Sequence, residues 1–489
     1  MKKVLIIAIS LVSLLLIGCE PDVDVNTSTN TDDNEKTTDT DTTQVFTKSL
    51  DIIWNGSSAT VSGEVEGVSV TGNSNGYVVI TSTTQGVSYS LSGNGNGQFK
   101  LYSDYKYELQ LNGLTLSCSD GAAINSQCKK KGFVILNDAN TLTDGTSYAS
   151  SDEDQKAAFF SEGQLLISGT GSLDITGNYK HALASDDYIK ISSGTLTLKA
   201  NVSDGLHTND GITINGGTIS VDAADEGLQC DSGAIAFNGG TLTVTSVGKG
   251  IKAVGDLTIS GGKITVICNG SSSSNKIAAW GPGGGNPPGG GGNPGGNPGG
   301  GSSGPEGIES KAALTISGGE VYAYATDDAI NSGGDLTITG GFVCAHSTSN
   351  DGIDANGNCY IKGGTVYAIG ASSPEVGIDA NSEEQKKLYV SGGTLVAIGG
   401  LESGSSLTQT CYSASWSANT WYALYNGSNV ALVFKTPASG GTGLVVSTGG
   451  TTSLKSGVTP AGTSIWNNTA YTDATVSGGT SVSLSKYSR

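Results

Sequence analysis

Arginine is nearly missing from this chain, because Arg489, the last residue, is the only one among 489. Lysine and arginine together number 25 against 44 Asp and Glu, which gives a formal net charge of −19. So acidic a chain, without an interior guanidinium, is poorly suited to bind nucleic acid or anionic lipid. Phosphoryl transfer that depends on an arginine finger is excluded as well.

Other residues of reactive sites are also scarce. Only three histidines occur, and His181 and His207 fall at different positions of adjacent repeats, so we do not expect a zinc pair. No Gly-x-Ser-x-Gly elbow stands between a predicted strand and a helix, and no segment has the full spacing of an EF-hand loop. The sequence therefore offers no familiar catalytic signature.

The N-terminus has the pattern of an export signal. Lys2 and Lys3 precede an apolar run that ends as Leu-Ile-Gly-Cys at Cys19, and this run is too short to span a membrane. The ending resembles the lipobox of bacterial lipoproteins, which implies cleavage before Cys19 and its lipidation. The alternative is an ordinary signal peptide. We expect a protein anchored to the bacterial cell surface by lipid alone, on the outer membrane if the cell is Gram-negative.

From about residue 160 to 400 the chain repeats itself. Leu196, Ile219 and Leu242 are equivalent apolar residues 23 positions apart, and each follows a glycine-containing turn. Three short alternating strands per 22 or 23 residues, with glycine at the corners, are typical of a parallel β-helix. The 75 glycines are therefore interpreted as corner residues.

The predicted fold is all-β: a right-handed, single-stranded parallel β-helix with a small antiparallel β-domain at its C-terminal end. We expect the chain to be a monomer. The predicted divisions are a signal peptide at 1–18, a disordered acidic tether at 19–48, an N-terminal β cap with the first strands at 49–117, the β-helix at 118–404 with a flexible Gly/Pro-rich insertion at 269–304, and the C-terminal cap domain at 405–489.

Alignment of the repeats places acidic side chains in outward columns beside the first strand. Carboxylates stacked about 4.8 Å apart repel one another by about 1 kcal/mol per pair in water. Calcium takes about 6 to 8 oxygens at roughly 2.3–2.6 Å, so it suits oxygens at this spacing. The sequence therefore predicts bound Ca²⁺, structural or ligand-bridging, although Asp and Asn also occur on solvated turns without an ion.

The predicted calcium ligands form two groups. The main group comprises Asp327, Asp328, Asn331, Asn350, Asp351, Asp354, Glu375 and Asp379, with Glu306 and Glu309 in the preceding repeat. The second group comprises Asp204, Asp225, Glu226 and Asp231.

Four aromatic residues are candidates for carbohydrate binding: Tyr322, Tyr324 and Tyr367 on the last strand of their repeats, and Trp280 in the insertion. Aromatic rings stack on pyranose faces, and calcium bridges protein carboxylates to the carboxylates of a uronate polymer. In the alternative interpretation, the tyrosines only cover neighbouring coils.

Three features resemble one bacterial carbohydrate-binding domain family: the stretch from Asn140 to Gly145, the stretch from Gly177 to Leu183, and the repeated Asp-Gly-Ile/Leu and Gly-Gly-Thr motifs. That family is built on a calcium-containing parallel β-helix similar to pectate lyases. The resemblance implies binding of acidic or plant-cell-wall polysaccharide, such as polygalacturonate or cellulose, at the cell surface.

Two other functions compete with carbohydrate binding. A calcium-dependent polysaccharide lyase would need a base, and without arginine this would be Lys249, Lys252 or Lys311. A structural adhesin would need only the tether and the repeats. We favour binding without catalysis.

Overall fold

The computed structural model describes residues 44–268, 270 and 304–488. Residues from Val45 onward form one compact unit. The described residues are strands and turns, with two short 3-10 helices at Asn73–Asn75 and Ser382–Glu384. The strands stack in parallel from coil to coil, which confirms the predicted β-helix and its small antiparallel C-terminal part.

Each coil contributes up to three strands. The first strands form a twelve-stranded sheet: Val68–Thr71, Tyr77–Ser82, Gln98–Ser103, Ile124–Ser126, Ala157–Ser161, His181–Ser185, Leu206–Thr208, Leu228–Cys230, Ile251–Ala253, Ile308–Ser310, Ile330–Ser332 and Ile353–Ala355. The second strands are Gly132–Asn137, Leu165–Gly169, Tyr188–Ile191, Gly211–Ile214, Ala234–Phe237, Leu257–Ile259, Leu314–Ile316, Leu336–Ile338, Cys359–Ile361, Leu388–Val390 and Ser406–Leu407. The third strands are Ala139–Thr143, Ser172–Gly177, Thr195–Ala200, Thr218–Ala223, Thr241–Ser246, Lys263–Cys268, Glu320–Ala325, Phe342–Ser347, Thr365–Ile369 and Thr394–Ile398.

Parallel stacking begins well before the first regular repeat. Long strands at Lys48–Gly56, Val87–Asn96 and Tyr107–Ser117 pair in parallel, and Tyr107–Ser117 continues onto the second and third strands of the next coil. Ser58–Ser62 pairs antiparallel with the first of them. The N-terminal region is thus continuous with the β-helix.

Like residues stack on like residues inside the coils. Leu196 pairs with Ile219, Ile219 with Leu242, and Leu242 with Ile264, and all four side chains are buried. Burial of such a side chain contributes about 1.5–3 kcal/mol. The equivalence predicted from the 23-residue spacing is confirmed, and this repeated apolar column forms the core of the helix.

Four antiparallel strands close into a barrel near the C-terminus: Trp421–Asn426, Asn429–Lys435, Thr452–Ile465 and Ala470–Val482. Leu444–Ser447 pairs antiparallel with the last third strand, and two short strands, Tyr412–Ala414 and Ser485–Lys486, complete this end. The barrel's apolar residues share a cluster with outward residues of the last third strands. Part of the helix surface is therefore covered.

The seven cysteines of the described residues, Cys118 and Cys128 among them, are buried free thiols. In the part of the chain with described structure, no helix is long and apolar enough to cross a bilayer.

Glycine at the corner before each first strand is required for close packing. A Cβ atom added at Gly250 would lie 2.1 Å from Val266 Cγ1 and 2.6 Å from the carbonyl oxygen of Gly307. The Gly250→Ala variant should therefore lose about 1–3 kcal/mol of stability, as overpacked cores do. Denaturant unfolding measures this loss.

Gly211→Ala is the control for that substitution, because its Cβ would meet nothing closer than 3.3 Å. Equal unfolding midpoints for the two variants would contradict the stacking argument.

Candidate functional site

The first strands hold one outward column in register. Strand pairing aligns Ala184, His207, Gln229, Lys252, Glu309, Asn331 and Asp354. Isolated bridges from Ile353 to Ile378 and from Ile378 to Leu401 continue the stacking beyond the last regular strand. The residues that follow, Asp379 and Glu402, therefore extend the column, and we call this surface the acidic face.

Three carboxylates converge at the C-terminal end of the acidic face. Asp351, Asp354 and Asp379 each offer an oxygen, and these oxygens lie within 4.8 Å of one another. Asp351 is only 8 % exposed, and the backbone N–H of Val376 donates to its Oδ1 at 2.5 Å. We call these three residues the C-terminal cluster.

Desolvation and mutual repulsion raise the pKa values of the three carboxylates in the cluster. Burial raises the pKa of Asp351 to about 7, aided by the charges of Asp354, Glu375 and Glu402 and opposed by the Val376 N–H. Burial likewise raises the pKa of Asp354 to about 6. The pKa of Asp379 is raised by burial and by its contact with Glu402. The cluster is thus short of positive charge.

The preceding coil adds polar side chains to the same place. Asn331 Nδ2 donates to Asp328 Oδ2 at 2.9 Å and to Asp354 Oδ2 at 3.2 Å. Asn350 Nδ2 donates to Asp327 Oδ1 at 2.6 Å. The structure therefore links the residues of the main predicted group, while Glu375 acts on Asp351 and Asp354 through its charge.

Lysines occupy the middle of the acidic face. Lys249 contacts Glu306 and lies 2.6 Å from Glu309 Oε2, and Lys311 also contacts Glu309. These ion pairs occupy oxygens of Glu306 and Glu309, which we predicted beside the main calcium site. Burial and the charge of Glu309 nevertheless raise the pKa of Glu306 to about 7. Lys252 lies 3.5 Å from Glu226 Oε1.

The ion pairs also bear on the candidate base. Burial lowers the pKa of Lys249, but Glu306 and Glu309 outweigh it and leave the pKa above its usual range. Lys249 is therefore protonated near neutral pH and cannot accept a proton there.

Two imidazoles lie against the carboxylates of the second predicted group. Asp204, Asp225 and Glu226 offer oxygens within 4.8 Å of one another, and Asp204 Oδ2 also contacts both His181 and His207. Asp231 Oδ2 is 3.3 Å from His207 Nε2. The two histidines, for which we did not expect a zinc pair, stack on one another because their side chains reach across the different columns.

The C-terminal barrel covers two of the predicted sugar-binding tyrosines. Tyr322 and Tyr367 are 7 % and 0 % exposed, and the Tyr367 ring lies 5.2 Å from that of Phe434. This corrects the expectation that both rings face solvent. Tyr324 is half-buried against His346, and Trp280 lies outside the described residues.

Two other aromatic pairs are accessible. Tyr148 and Tyr179 stack with centroids 4.1 Å apart, and Tyr360 and Tyr389 stack at 5.0 Å. Tyr179 is 41 % exposed and stands two residues before His181, at the corner beside the acidic face. Stacked rings of this kind present flat apolar surfaces to a ligand.

A family model described as carbohydrate-binding domain-containing protein matches residues 74–352. The chain belongs to this family. A similar solved structure is described as the polysaccharide lyase-like protein from C. thermocellum, in a gadolinium derivative. It is 25% identical, covers 45% of this chain and 92% of its own, and superposes with a TM-score of 0.42. No curated protein matches the chain.

Glu402 of this carbohydrate-binding domain protein was not among the acidic residues predicted from the sequence. The motif Gly400-Leu401-Glu402 repeats Gly377-Ile378-Asp379, but it lies where the regular spacing of the third strands has ended. The Gly-apolar-acid triplet would have been a sufficient signal to identify Glu402.

The raised pKa values predict a pH dependence in metal-free protein. An aspartate titrates near 3.9 when unfolded, whereas Asp351 and Asp354 titrate near 7 and 6 when folded. Their stabilising contribution is therefore complete below about pH 4 and is lost as the pH rises to about 7. In chelator, the melting temperature should fall across this window, and added Ca²⁺ should remove the fall.

The Asp354→Asn variant isolates the cluster from other titrating groups. Its melting temperature should depend less on pH and respond less to Ca²⁺ than that of the wild type. Identical profiles for the two proteins would contradict the electrostatic account.

Proposed function

We propose that this protein is a lipid-anchored bacterial surface protein that binds acidic polysaccharide, of the polygalacturonate type, through calcium held on the acidic face. Membership of a carbohydrate-binding family supports the general activity. The convergence of Asp351, Asp354 and Asp379 carries the finer proposal.

The donor set suits calcium. All three ligands are carboxylates, and oxygens within 4.8 Å of one another lie within the span of about 4.6–5.2 Å across a calcium ion. Burial of like charges without a counter-ion is costly, and a divalent cation would offset that cost. Asp328, whose Oδ2 accepts from Asn331 Nδ2, stands beside the cluster as a further oxygen donor.

A bound ion would also reverse the surface's preference for ligands. The formal net charge of −19 repels a polyuronate, whereas calcium left with open coordination positions attracts a uronate carboxylate. The stacked pairs Tyr148–Tyr179 and Tyr360–Tyr389 offer faces for sugar rings. A neutral polymer such as cellulose would stack on the tyrosine rings without contacting the ion.

Calcium-dependent binding is testable with polygalacturonate. Wild-type protein should bind it in Ca²⁺ and lose binding in chelator. Asp354→Asn and Asp379→Asn should weaken binding about tenfold or more, equivalent to about 1.4 kcal/mol, as measured by affinity electrophoresis or calorimetry. Asp222→Asn is the matched control, because it removes the same charge from an exposed site on a third strand.

Two outcomes would overturn the proposal. Undiminished binding in chelator would separate binding from calcium. Steady formation of unsaturated product, abolished in Lys249→Met, would make the protein a lyase. The raised pKa of Lys249 argues against that chemistry.

The anchor is tested separately. Several acyl chains on Cys19 would hold the protein stably on a membrane, so the Cys19→Ser variant should move from the membrane to the soluble fraction on cell fractionation. A variant that stays with the membrane would contradict lipidation at this residue, without bearing on polysaccharide binding.

A further inference from the structure

His181, Asp204 and His207 form a compact group at the N-terminal part of the acidic face. Asp204 Oδ2 lies 3.2 Å from His181 Nδ1 and 2.8 Å from His207 Nδ1. The two imidazoles stack with centroids 4.2 Å apart. One atom from each of the three side chains can be chosen so that all lie within 4.8 Å of one another.

The group is well enclosed. His181, Asp204 and His207 are 1 %, 3 % and 6 % exposed.

His181 is not satisfied by its protein neighbours. Its Nε2 is buried and has no hydrogen-bond partner among the described residues, so no contact at this nitrogen selects the tautomer of the ring. Its Nδ1 faces both the backbone N–H of Asp204, at 3.3 Å, and the carboxylate of the same residue. A protonated Nδ1 suits the carboxylate and opposes the N–H, and the other tautomer does the reverse. Each tautomer therefore leaves one contact unfavourable.

The surroundings hold the ligands in place. Asp231 Oδ2 lies 3.3 Å from His207 Nε2, and the N–H of Glu226 donates to Asp204 Oδ1 at 3.2 Å. Histidines that bind metals commonly donate their second N–H to a carboxylate in this way. Asp204 is left with Oδ2 directed at both rings.

We propose that His181, Asp204 and His207 bind a divalent transition metal such as Zn²⁺. Imidazole nitrogens suit zinc, whereas calcium takes oxygen ligands. Ligands at about 2.0–2.1 Å around a tetrahedral ion are separated by about 3.3 Å, close to the distances from Asp204 Oδ2 to the two nitrogens. Asp225 and Glu226 offer oxygens beside Asp204 for a fourth position.

This site is distinct from the C-terminal cluster. Five coil steps separate His207 from Asp354 in the outward column, about 24 Å at about 4.8 Å per coil. The transition-metal site thus replaces the second calcium site that the sequence predicted around Asp204, and it does not depend on the proposed polysaccharide binding.

Cobalt is the probe for this site, because Co²⁺ held by nitrogen ligands has a visible absorption spectrum. Folded full-length protein, stripped with chelator, should bind one Co²⁺ and release it to Zn²⁺ but not to excess Ca²⁺. His207→Gln and Asp204→Asn should weaken Co²⁺ binding at least about tenfold. His346→Gln is the matched control, because the remaining histidine lies elsewhere, against Tyr324.

Two results would overturn the proposal. Failure of the folded wild type to show the Co²⁺ spectrum would mean that the three side chains form only a hydrogen-bonded network. Equal loss in His346→Gln, or unchanged binding in His207→Gln, would place the ion elsewhere. Asp354→Asn should keep the Co²⁺ spectrum, and its loss would contradict the separation of the two sites.

Discussion

Parallel stacking at about 4.8 Å per coil is the constraint on which the rest of this structure depends. It brings the same position of every coil into contact with itself, so each choice of residue is repeated along a column. Inside the helix this repetition is favourable, because apolar residues such as Leu196 and Ile219 pack on one another. On the outer surface the same repetition is unfavourable, because stacked side chains of like charge repel one another.

The repulsion between stacked carboxylates is offset in different ways along the acidic face. At the N-terminal part, two imidazoles flank Asp204. In the middle, Lys249 lies between Glu306 and Glu309. At the C-terminal part, the carboxylates of the cluster contact amides and other acids, and their pKa values rise. One periodic scaffold therefore presents three chemically different environments.

The period explains what the sequence could and could not predict. Register, core column and the alignment of Asn331 with Asp354 follow directly from spacing, because backbone pairing fixes them. Contacts between columns do not follow, because they depend on side-chain reach: the meeting of His181 with His207 is one example. The burial of Tyr367 could not be predicted from the repeats either, since the barrel that covers this ring lies beyond them in the sequence. Local periodicity predicts the surface of a repeat but not what packs on it.

The shortage of ligands at the C-terminal cluster connects stability with the proposed binding. Three carboxylates that each give one oxygen fill about three of the 6 to 8 positions of a calcium ion. An ion bound there would stabilise the folded chain by mass action and would keep positions open for oxygens from outside the protein. A fully enclosed site would give the stability without the binding. The burial of Asp351, together with the half-exposure of Asp354 and Asp379, is what a site with both roles requires.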